Sequence, residues 1–320
     1  MGCYIARYQW DDAPGWAVVL ADRLIPLHNT AATLADFLET GLEEARNAAS
    51  APPESGLALK DVRFLSPVTA PARIMCQELS YTSDEDEEDK KSKEPPEPVF
   101  VRKDESSLNG ANGIVKRPAG ARLLDYGIEL GLIIRCHIYQ PVTITAENLH
   151  QYVAGLVMAN DISARDLMLQ TPFRQWYRGK GCRTLCPIGP FFYLWDKEDV
   201  PLINNLDLKL WVNEELRQNA NTAQLGIGPA QTLSRLSEFI NLAPGDCVLT
   251  GTPAGIAIST PGKAVRAIGS LLLSEKQQLK LFIDKQAQNP EYLQDGDQIR
   301  ATIASPDGRI DLGTQNCVVH

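Results

Sequence analysis

The sequence predicts an α+β protein that is rich in β-structure. From about residue 72 onward, short β-type runs alternate with Gly/Pro turns, and only a few helical patterns interrupt them. The strands do not alternate regularly with helices, so a doubly wound parallel sheet is not indicated. With 320 residues, 44% of them hydrophobic, the chain is long enough for one large domain and a smaller one.

A small α/β module is predicted at residues 1–68. Two short β-type runs, at residues 17–20 and 24–27, flank a polar turn. Apolar side chains then recur at helical spacing over residues 33–48, which predicts one amphipathic helix. The stretch 50–56 contains Pro, Ser and Gly, as is typical of a linker or loop.

A larger, β-rich domain is predicted at residues 72–320. A helix is expected over residues 145–153, and Gly155 is expected to end it. The strand candidates, in order, are residues 128–134, 156–161, 191–195, 206–212, 247–250 and 298–303.

Composition excludes several functional classes. A formal charge of −9 and the lack of clustered Lys/Arg argue against nucleic-acid binding. No apolar run approaches the length of a membrane span, and the amino-terminal stretch does not resemble a secretory signal. Seven scattered cysteines favour buried thiols in a reducing cytoplasm over disulfides or zinc. The glycine-rich phosphate-binding motifs are missing, so no nucleotide cofactor is expected.

Five short strings place charged residues beside turns and strand ends. They occur in a fixed order along the predicted large domain. The strings are DYGIEL at 125–130, NDISARD at 160–166, GKGCRTLCPIGP at 179–190, PGDCVLTGTPAG at 244–255 and GD at 296–297.

Taken together, the five strings resemble the signature of the fumarylacetoacetate hydrolase family, in its carboxyl-terminal catalytic domain. Order and spacing agree over roughly residues 72–320. The resemblance implies a mixed β-sandwich roll, usually a homodimer, with a divalent-metal site. It also implies an enzyme that cleaves, decarboxylates or isomerises small oxo-acids or 1,3-dicarbonyl compounds through an enolate.

The metal site that the resemblance implies is incomplete. Glu129 and Asp161 match two of its three carboxylate ligands, but Gly127 replaces the third. Side chains two apart on a strand share a face, so Asp125, Gly127 and Glu129 are expected to point the same way. Binding of Mg²⁺ or Mn²⁺ would then depend on two carboxylates, with water and substrate oxygens as the other ligands. Alternatively, Glu129 and Asp161 belong to a charge network with Lys180 or Arg183.

The family's lid motif is also altered. Tyr81 and Glu87 match its tyrosine and acid, whereas Asp84 stands where a histidine is expected. Without that imidazole, water-dependent C–C hydrolysis is disfavoured. The acidic run at 84–94 is expected to be a solvated loop.

Lys180 matches the family's active-site lysine and is predicted to act with Glu129, Asp161 and Glu87 in catalysis. A point cation at that position stabilises a developing enolate. Arg183 replaces an acid of the family pattern, which is a charge reversal. The residues expected to bind substrate are Tyr81, Lys103, Gln170, Arg174, Arg183 and Thr252.

Three functional hypotheses follow. The first is an enzyme acting on a β-dicarbonyl or oxo-acid through an enolate, by tautomerisation, lyase chemistry, decarboxylation or hydrolysis. The second is a metal-independent biosynthetic enzyme that acts on a larger substrate. The third is a catalytically silent binding or assembly subunit. The enzyme hypotheses predict that Lys180, Glu129, Asp161 and Thr252 converge, whereas the silent hypothesis does not require it. Separately, residues 270–286 of the extra segment at 254–292 are expected to form a helix or strand that packs on the partner subunit or caps the pocket.

Overall fold

The computed structural model describes residues 2–50, 56–78, 81, 98–171, 173–259 and 274–320. Within these ranges the protein is strand-rich and contains short helices, so the predicted β-rich α+β class is confirmed. No helix in the described part of the chain is both long and apolar enough to cross a membrane.

Nineteen strands are described. They are β1 Cys3–Trp10, β2 Ala13–Leu20, β3 Arg23–Pro26, β4 Leu57–Ala58, β5 Arg63–Leu65, β6 Ile74–Glu78, β7 Val99–Lys103, β8 Leu108–Asn109, β9 Ile114–Val115, β10 Leu124–Asp125, β11 Ile128–Ile134, β12 Val153–Asn160, β13 Ser163–Ala164, β14 Cys186–Leu194, β15 Asp207–Val212, β16 Glu215–Asn221, β17 Cys247–Leu249, β18 Gln298–Ala304 and β19 Asp311–Val319.

Seven α-helices lie in the same ranges. They are α1 Leu34–Thr40, α2 Leu42–Ala48, α3 Leu149–Tyr152, α4 Arg165–Met168, α5 Trp176–Lys180, α6 Pro229–Ser237 and α7 Glu275–Gln286.

The largest sheet in the described ranges has twelve strands and includes both the amino-terminal segment and the strands around the candidate site. Its main order is β4-β3-β2-β1-β14-β12-β11-β17-β6-β7, with β5 on β1 and β8 on β14. Strand β1 runs antiparallel to β14, with Ile5 opposite Phe192. The strands of the predicted leading module therefore extend the same sheet.

The central strands β11 and β12 are buried along their whole length. Their near-continuous apolar sequences fit strands covered on both faces. Their antiparallel register places Ile128 opposite Asn160 and Glu129 opposite Ala159. This register brings the start of β11 beside the end of β12.

A second sheet, in the order β16-β15-β18-β19-β9, packs against the first. Buried Leu208 and Leu210 alternate with half-buried neighbours along β15. They belong to the same apolar cluster as Leu130 and Leu132 of the first sheet. The two sheets share a core, as in a sandwich.

Two helix predictions need correction. The predicted helix at 33–48 is divided into α1 and α2 at Gly41. A Cβ at Gly41 would lie 2.6 Å from the ring of Phe37, so the close packing there requires glycine. The predicted helix at 145–153 is reduced to α3, because Val153 begins β12.

The extra segment at 254–292 contributes helix α7. Ser274 and Gln277 form a reciprocal capping box at its amino terminus. Buried Gln286 accepts a hydrogen bond from the hydroxyl of Tyr292 at 2.8 Å and donates to the carbonyl of Ser259 at 2.9 Å. The carboxyl-terminal part of the segment is therefore joined to its start at Ser259; residues 260–273 lie outside the described ranges.

Asp125 fastens the start of this segment. Its fully buried carboxylate receives the Arg165 Nε–H at 2.8 Å. It also accepts the backbone N–H groups of Ala257 at 2.8 Å and Ile258 at 3.3 Å. The N–H of Tyr126 also donates to it at 3.0 Å, so a buried guanidinium and three backbone donors depend on this one side chain.

Replacing Asp125 with Ala should therefore destabilise the fold by about 3–5 kcal/mol, because it leaves the buried guanidinium of Arg165 without its partner. Asp284→Ala is the matched control: it removes an exposed pair with Arg122 at 3.2 Å, and should change stability by less than about 1 kcal/mol. Urea denaturation measures both. Equal losses would contradict the role given to Asp125.

Candidate active site

The site is organised around the Asp161 carboxylate, which lies between two lysines. Lys103 Nζ donates to Asp161 Oδ1 at 2.7 Å and to the carbonyl of Ile162 at 2.9 Å. Lys180 Nζ donates to the other oxygen, Oδ2. All three side chains are at most 2% exposed. Two buried ammonium groups thus share one carboxylate.

The order of the strands brings the groups together. Strands β12, β17 and β6 run in one direction and β11 runs in the opposite direction. The carboxyl ends of β12, β17 and β6 therefore meet the start of β11 at one edge of the sheet. Asp161, Gly251 and Glu78 lie at those three ends, and Glu129 is the second residue of β11.

Backbone contacts hold Asp161 in place. Its N–H donates to the carbonyl of Gly127 at 2.7 Å. The Asn160 side chain accepts the N–H of Gly127 at 2.9 Å. These bonds join the end of β12 to the residue that precedes β11.

Glu129 is buried beside this cluster. Its Oε2 accepts the N–H of Gly251 at 2.8 Å. Burial raises the pKa of the Glu129 carboxyl well above its ordinary value, and the charge of Asp161 adds to the effect. The environment favours a protonated Glu129, the state that a carboxyl needs to act as an acid or to exchange protons near neutral pH.

The charges of the cluster shift the other two groups in opposite directions. Burial by itself would raise the pKa of Asp161, but the ammonium groups of Lys103 and Lys180 outweigh it and hold that pKa below its usual range. Burial would lower the pKa of Lys180, but Asp161 and Glu78 outweigh it and raise that pKa. Asp161 and Lys180 are therefore fully charged at neutral pH.

Glu78 is a site residue that the sequence analysis missed. It ends β6, and its Oε1 lies 2.7 Å from Lys180 Nζ. Its side chain is 16% exposed, whereas that of Lys180 is 2% exposed. In the sequence, the one local sign of Glu78 is its position as an acid at the end of a buried apolar strand. Glu78 belongs to none of the five motif strings.

The shared face of Asp125, Gly127 and Glu129 stays a prediction. Strand β10 ends at Asp125 and β11 begins at Ile128, and the antiparallel register continues across the gap, with Asp125 opposite Ser163 and Ile128 opposite Asn160. The Asp125 carboxylate binds Arg165, whereas that of Glu129 binds the N–H of Gly251.

The residues present do not fit the three-carboxylate metal site. A Cβ at Gly127 would lie 2.9 Å from the hydroxyl oxygen of Thr252 and 3.1 Å from its Cβ, so that side chain already fills the space. Both oxygens of Asp161 are paired with ammonium groups. Across the described ranges, no three His, Cys, Asp or Glu side chains are grouped closely enough to hold a metal ion.

Two hydroxyl groups lie near the carboxylates. Thr252 Oγ1 accepts a hydrogen bond from Gln218 Nε2 at 2.9 Å, which leaves its own proton to donate. The buried hydroxyl of Tyr81 has no hydrogen-bond partner among the described residues. Burial and the charge of Glu129 raise the Tyr81 pKa, so this hydroxyl also keeps its proton.

The remaining predicted residues are not joined to this cluster by any contact in the described part of the chain. Gln170, Arg174 and Arg183 are exposed. Glu87 and Asp84 lie outside the described residues.

Residues 73–320 match the model of the fumarylacetoacetate (FAA) hydrolase C-terminal family. The chain is 32% identical over 256 residues to human mitochondrial oxaloacetate tautomerase FAHD2A, covering 79% of each protein. It is 30% identical over 234 residues to a homologue of fumarylacetoacetate hydrolase domain-containing protein 2 from Dictyostelium discoideum, covering 71% of this chain and 74% of that protein.

Two solved structures share the fold over nearly the whole chain. Fumarylacetoacetate hydrolase from Exiguobacterium antarcticum is 25% identical, with a TM-score of 0.74 and 99% of both chains covered. A probable 2-hydroxyhepta-2,4-diene-1,7-dioate isomerase from Mycobacterium abscessus is 26% identical, with a TM-score of 0.73. The match covers 100% of this chain and 98% of that one. These similarities extend through the amino-terminal strands.

Gly127→Ala should destabilise the protein by about 1–3 kcal/mol, because the new methyl group overlaps the Thr252 side chain. Thr252→Ala removes the closest contact of that methyl group. The double variant should therefore lose less free energy of unfolding than the sum of the two single losses, by a coupling energy of about 0.5–3 kcal/mol. Gly228→Ala is the control, since nothing lies within 4 Å of its added Cβ. Urea denaturation measures all four variants; additive losses would contradict the overlap.

Glu129→Gln and Asp161→Asn should change the pH dependence of stability in opposite ways. The pKa of Glu129 is higher in the folded state than in the unfolded chain, where it is about 4.3. The contribution of Glu129 to the free energy of unfolding therefore falls as the pH rises above that unfolded-state pKa. Glu129→Gln should therefore become more stable relative to the wild type between pH 5 and 8. Because the folded-state pKa of Asp161 is lowered, its contribution is complete above about pH 4 and is lost below it.

The deficit of Asp161→Asn should accordingly be largest at neutral pH and shrink toward pH 3. Urea denaturation across this pH range compares each variant with the wild type. Parallel stability profiles for both variants and the wild type would show that neither carboxyl has the shifted pKa described above.

Proposed function

The chain belongs to the fumarylacetoacetate hydrolase family of enzymes, and we propose that it interconverts the keto and enol forms of a small 2-oxo acid through an enolate. The observation that carries the proposal is the buried ammonium of Lys180 in one cluster with Glu129, a carboxyl whose pKa is raised. A fixed cation and a proton-exchanging group are the two parts that this reaction requires. The relative named as an oxaloacetate tautomerase supports the same reaction class.

The reaction is a transfer of one proton. In the keto-to-enol direction, Glu129 first releases its own proton to water. Its carboxylate then removes a proton from C3 of the 2-oxo acid, and the C3–H electrons form the C2–C3 double bond. Negative charge develops on the C2 oxygen, where the Lys180 ammonium stabilises it. The proton then passes from Glu129 to that oxygen, giving the enol and restoring the carboxylate.

The neighbouring residues have supporting roles in this proposal. Lys103 positions Asp161, which in turn orients Lys180. The protons of the Thr252 and Tyr81 hydroxyl groups are available to the substrate carboxylate. No step passes through a metal ion, because the residues present do not form the metal site.

Two observations favour this reaction over a silent subunit and over hydrolysis. Lys103, Asp161 and Lys180 are in direct contact, as the enzyme hypotheses require and a silent subunit does not. Water-dependent hydrolysis is disfavoured because Asp84 replaces the lid histidine. The larger-substrate biosynthetic hypothesis remains the second candidate, supported by the poor fit to a metal ion.

The cellular compartment, the oligomeric state and the division of the chain into units are also part of the proposal. The protein is proposed to work as a cytoplasmic homodimer, with units at 1–68 and 72–320. Seven free cysteines are consistent with a reducing compartment. Glu87, Gln170, Arg174 and Arg183 stay as predicted contributors to catalysis or substrate binding.

Lys180→Met should reduce kcat/KM for oxaloacetate enol–keto conversion by about 10²–10³-fold, because the enolate loses its cation. Loss of the ultraviolet absorbance of the enol measures the rate.

Glu129→Gln should lower kcat with a smaller change in KM, because it removes proton exchange and leaves the cation in place.

Lys276→Met, on the exposed face of α7, is the matched control and should keep wild-type activity. The wild type should also keep its activity after dialysis against a chelator. Full activity of Lys180→Met would overturn the proposed mechanism, and recovery of a chelator-inactivated enzyme by Mg²⁺ or Mn²⁺ would overturn its metal independence.

A further inference from the structure

Lys180 has two carboxylate partners, and they differ in exposure and in what holds them. The Asp161 partner is 2% exposed, also binds Lys103, and is fixed through the backbone at Gly127. The Glu78 partner is 16% exposed and lies at the last residue of β6. Glu78 is thus the more exposed of the two carboxylate partners of Lys180.

The charges of the cluster balance only when Glu78 is counted. With Glu129 protonated, Glu78 and Asp161 contribute two negative charges, and Lys103 and Lys180 contribute two positive charges. Withdrawal of the Glu78 carboxylate would leave a net positive charge on the outer side of Lys180. A second anion at that position would restore the balance.

The ion pair with Glu78 engages the ammonium that the proposed reaction requires. An enolate oxygen placed on the outer side of Lys180 competes for the same face of the ammonium as Glu78 Oε1, which lies 2.7 Å away. Two negatively charged oxygens at such close range repel each other strongly in a buried site. A substrate anion on this side therefore competes with Glu78 for the Lys180 ammonium.

We infer that Glu78 is a tethered counter-ion that neutralises Lys180 in the free enzyme and is displaced by the carboxylate or enolate oxygen of an anionic substrate. The inference rests on the proposed function, since it assigns the oxo-acid anion to the outer face of Lys180. Glu78 acts as a specificity-determining residue: a neutral carbonyl compound cannot replace its charge, whereas an oxo-acid anion can.

The competition has a measurable consequence for affinity. Some ligands bind only the state in which Glu78 is withdrawn. The apparent affinity of such a ligand is its affinity for that state multiplied by the fraction of molecules in that state. Removing the negative charge at residue 78 therefore strengthens anion binding. If Glu78 only supported Lys180 sterically, the same change would weaken binding or leave it unaltered.

Oxalate, a dianion shaped like the enolate of a 2-oxo acid, is the probe. Calorimetry on the full-length protein should show that Glu78→Gln binds oxalate about tenfold more tightly than the wild type, the factor expected if the withdrawn state is about one-tenth populated. Glu238→Gln removes the charge of an exposed glutamate paired with Arg235 at 3.5 Å, and should leave the affinity unchanged. The double variant Glu78→Gln/Lys180→Met should lose the gain.

Glu78→Asp provides a second measurement should the Gln variant fail to fold. It keeps the charge but withdraws the carboxylate by one methylene, and should give an intermediate affinity for oxalate. Equal or weaker binding by the folded Glu78 variants, or no binding by any protein, would overturn the counter-ion role. Absence of tautomerase activity in a wild type that still shows this oxalate pattern would overturn the proposed function alone.

Discussion

The shared carboxylate of Asp161 is the interaction on which the rest of the site depends. Burying an ammonium group costs several kcal/mol unless a well-placed anion compensates it, and here two ammonium groups, those of Lys103 and Lys180, are almost completely buried. Asp161 must therefore be held precisely and must stay ionised. The antiparallel pairing of β11 with β12, together with the backbone bond to Gly127, provides that precision.

The same arrangement accounts for the unusual set of carboxylates. Position 127 has no side chain, and the space beside it belongs to Thr252, which Gln218 holds in place. A third carboxylate is nevertheless present, because Glu78 enters from β6. It contacts an ammonium group rather than completing a cage for a divalent ion. The positive charge at the centre of the site thus comes from the chain itself.

A second buried ion pair links this site to the body of the protein. Asp125 and Arg165 belong to two of the motif strings, and Asp125 also accepts hydrogen bonds from the backbone N–H groups of Ala257 and Ile258. The extra segment that continues from there ends in α7, whose Gln286 returns to Ser259. Asp125 and Gln286 thus hold the two described parts of the added segment together near Ser259.

The sequence by itself determined the β-rich class, the strand Ile128–Ile134 to the residue, and Asp161, Glu129, Lys103 and Lys180 as candidates, because apolar runs and motif strings are local properties. Only the tertiary structure decided that Asp125 turns toward Arg165, that Gly41 divides a helix, and that Glu78 binds Lys180. These outcomes depend on contacts between distant segments. The order of β12, β11, β17 and β6 in the sheet brings those segments to one edge, and no short stretch of sequence encodes that order.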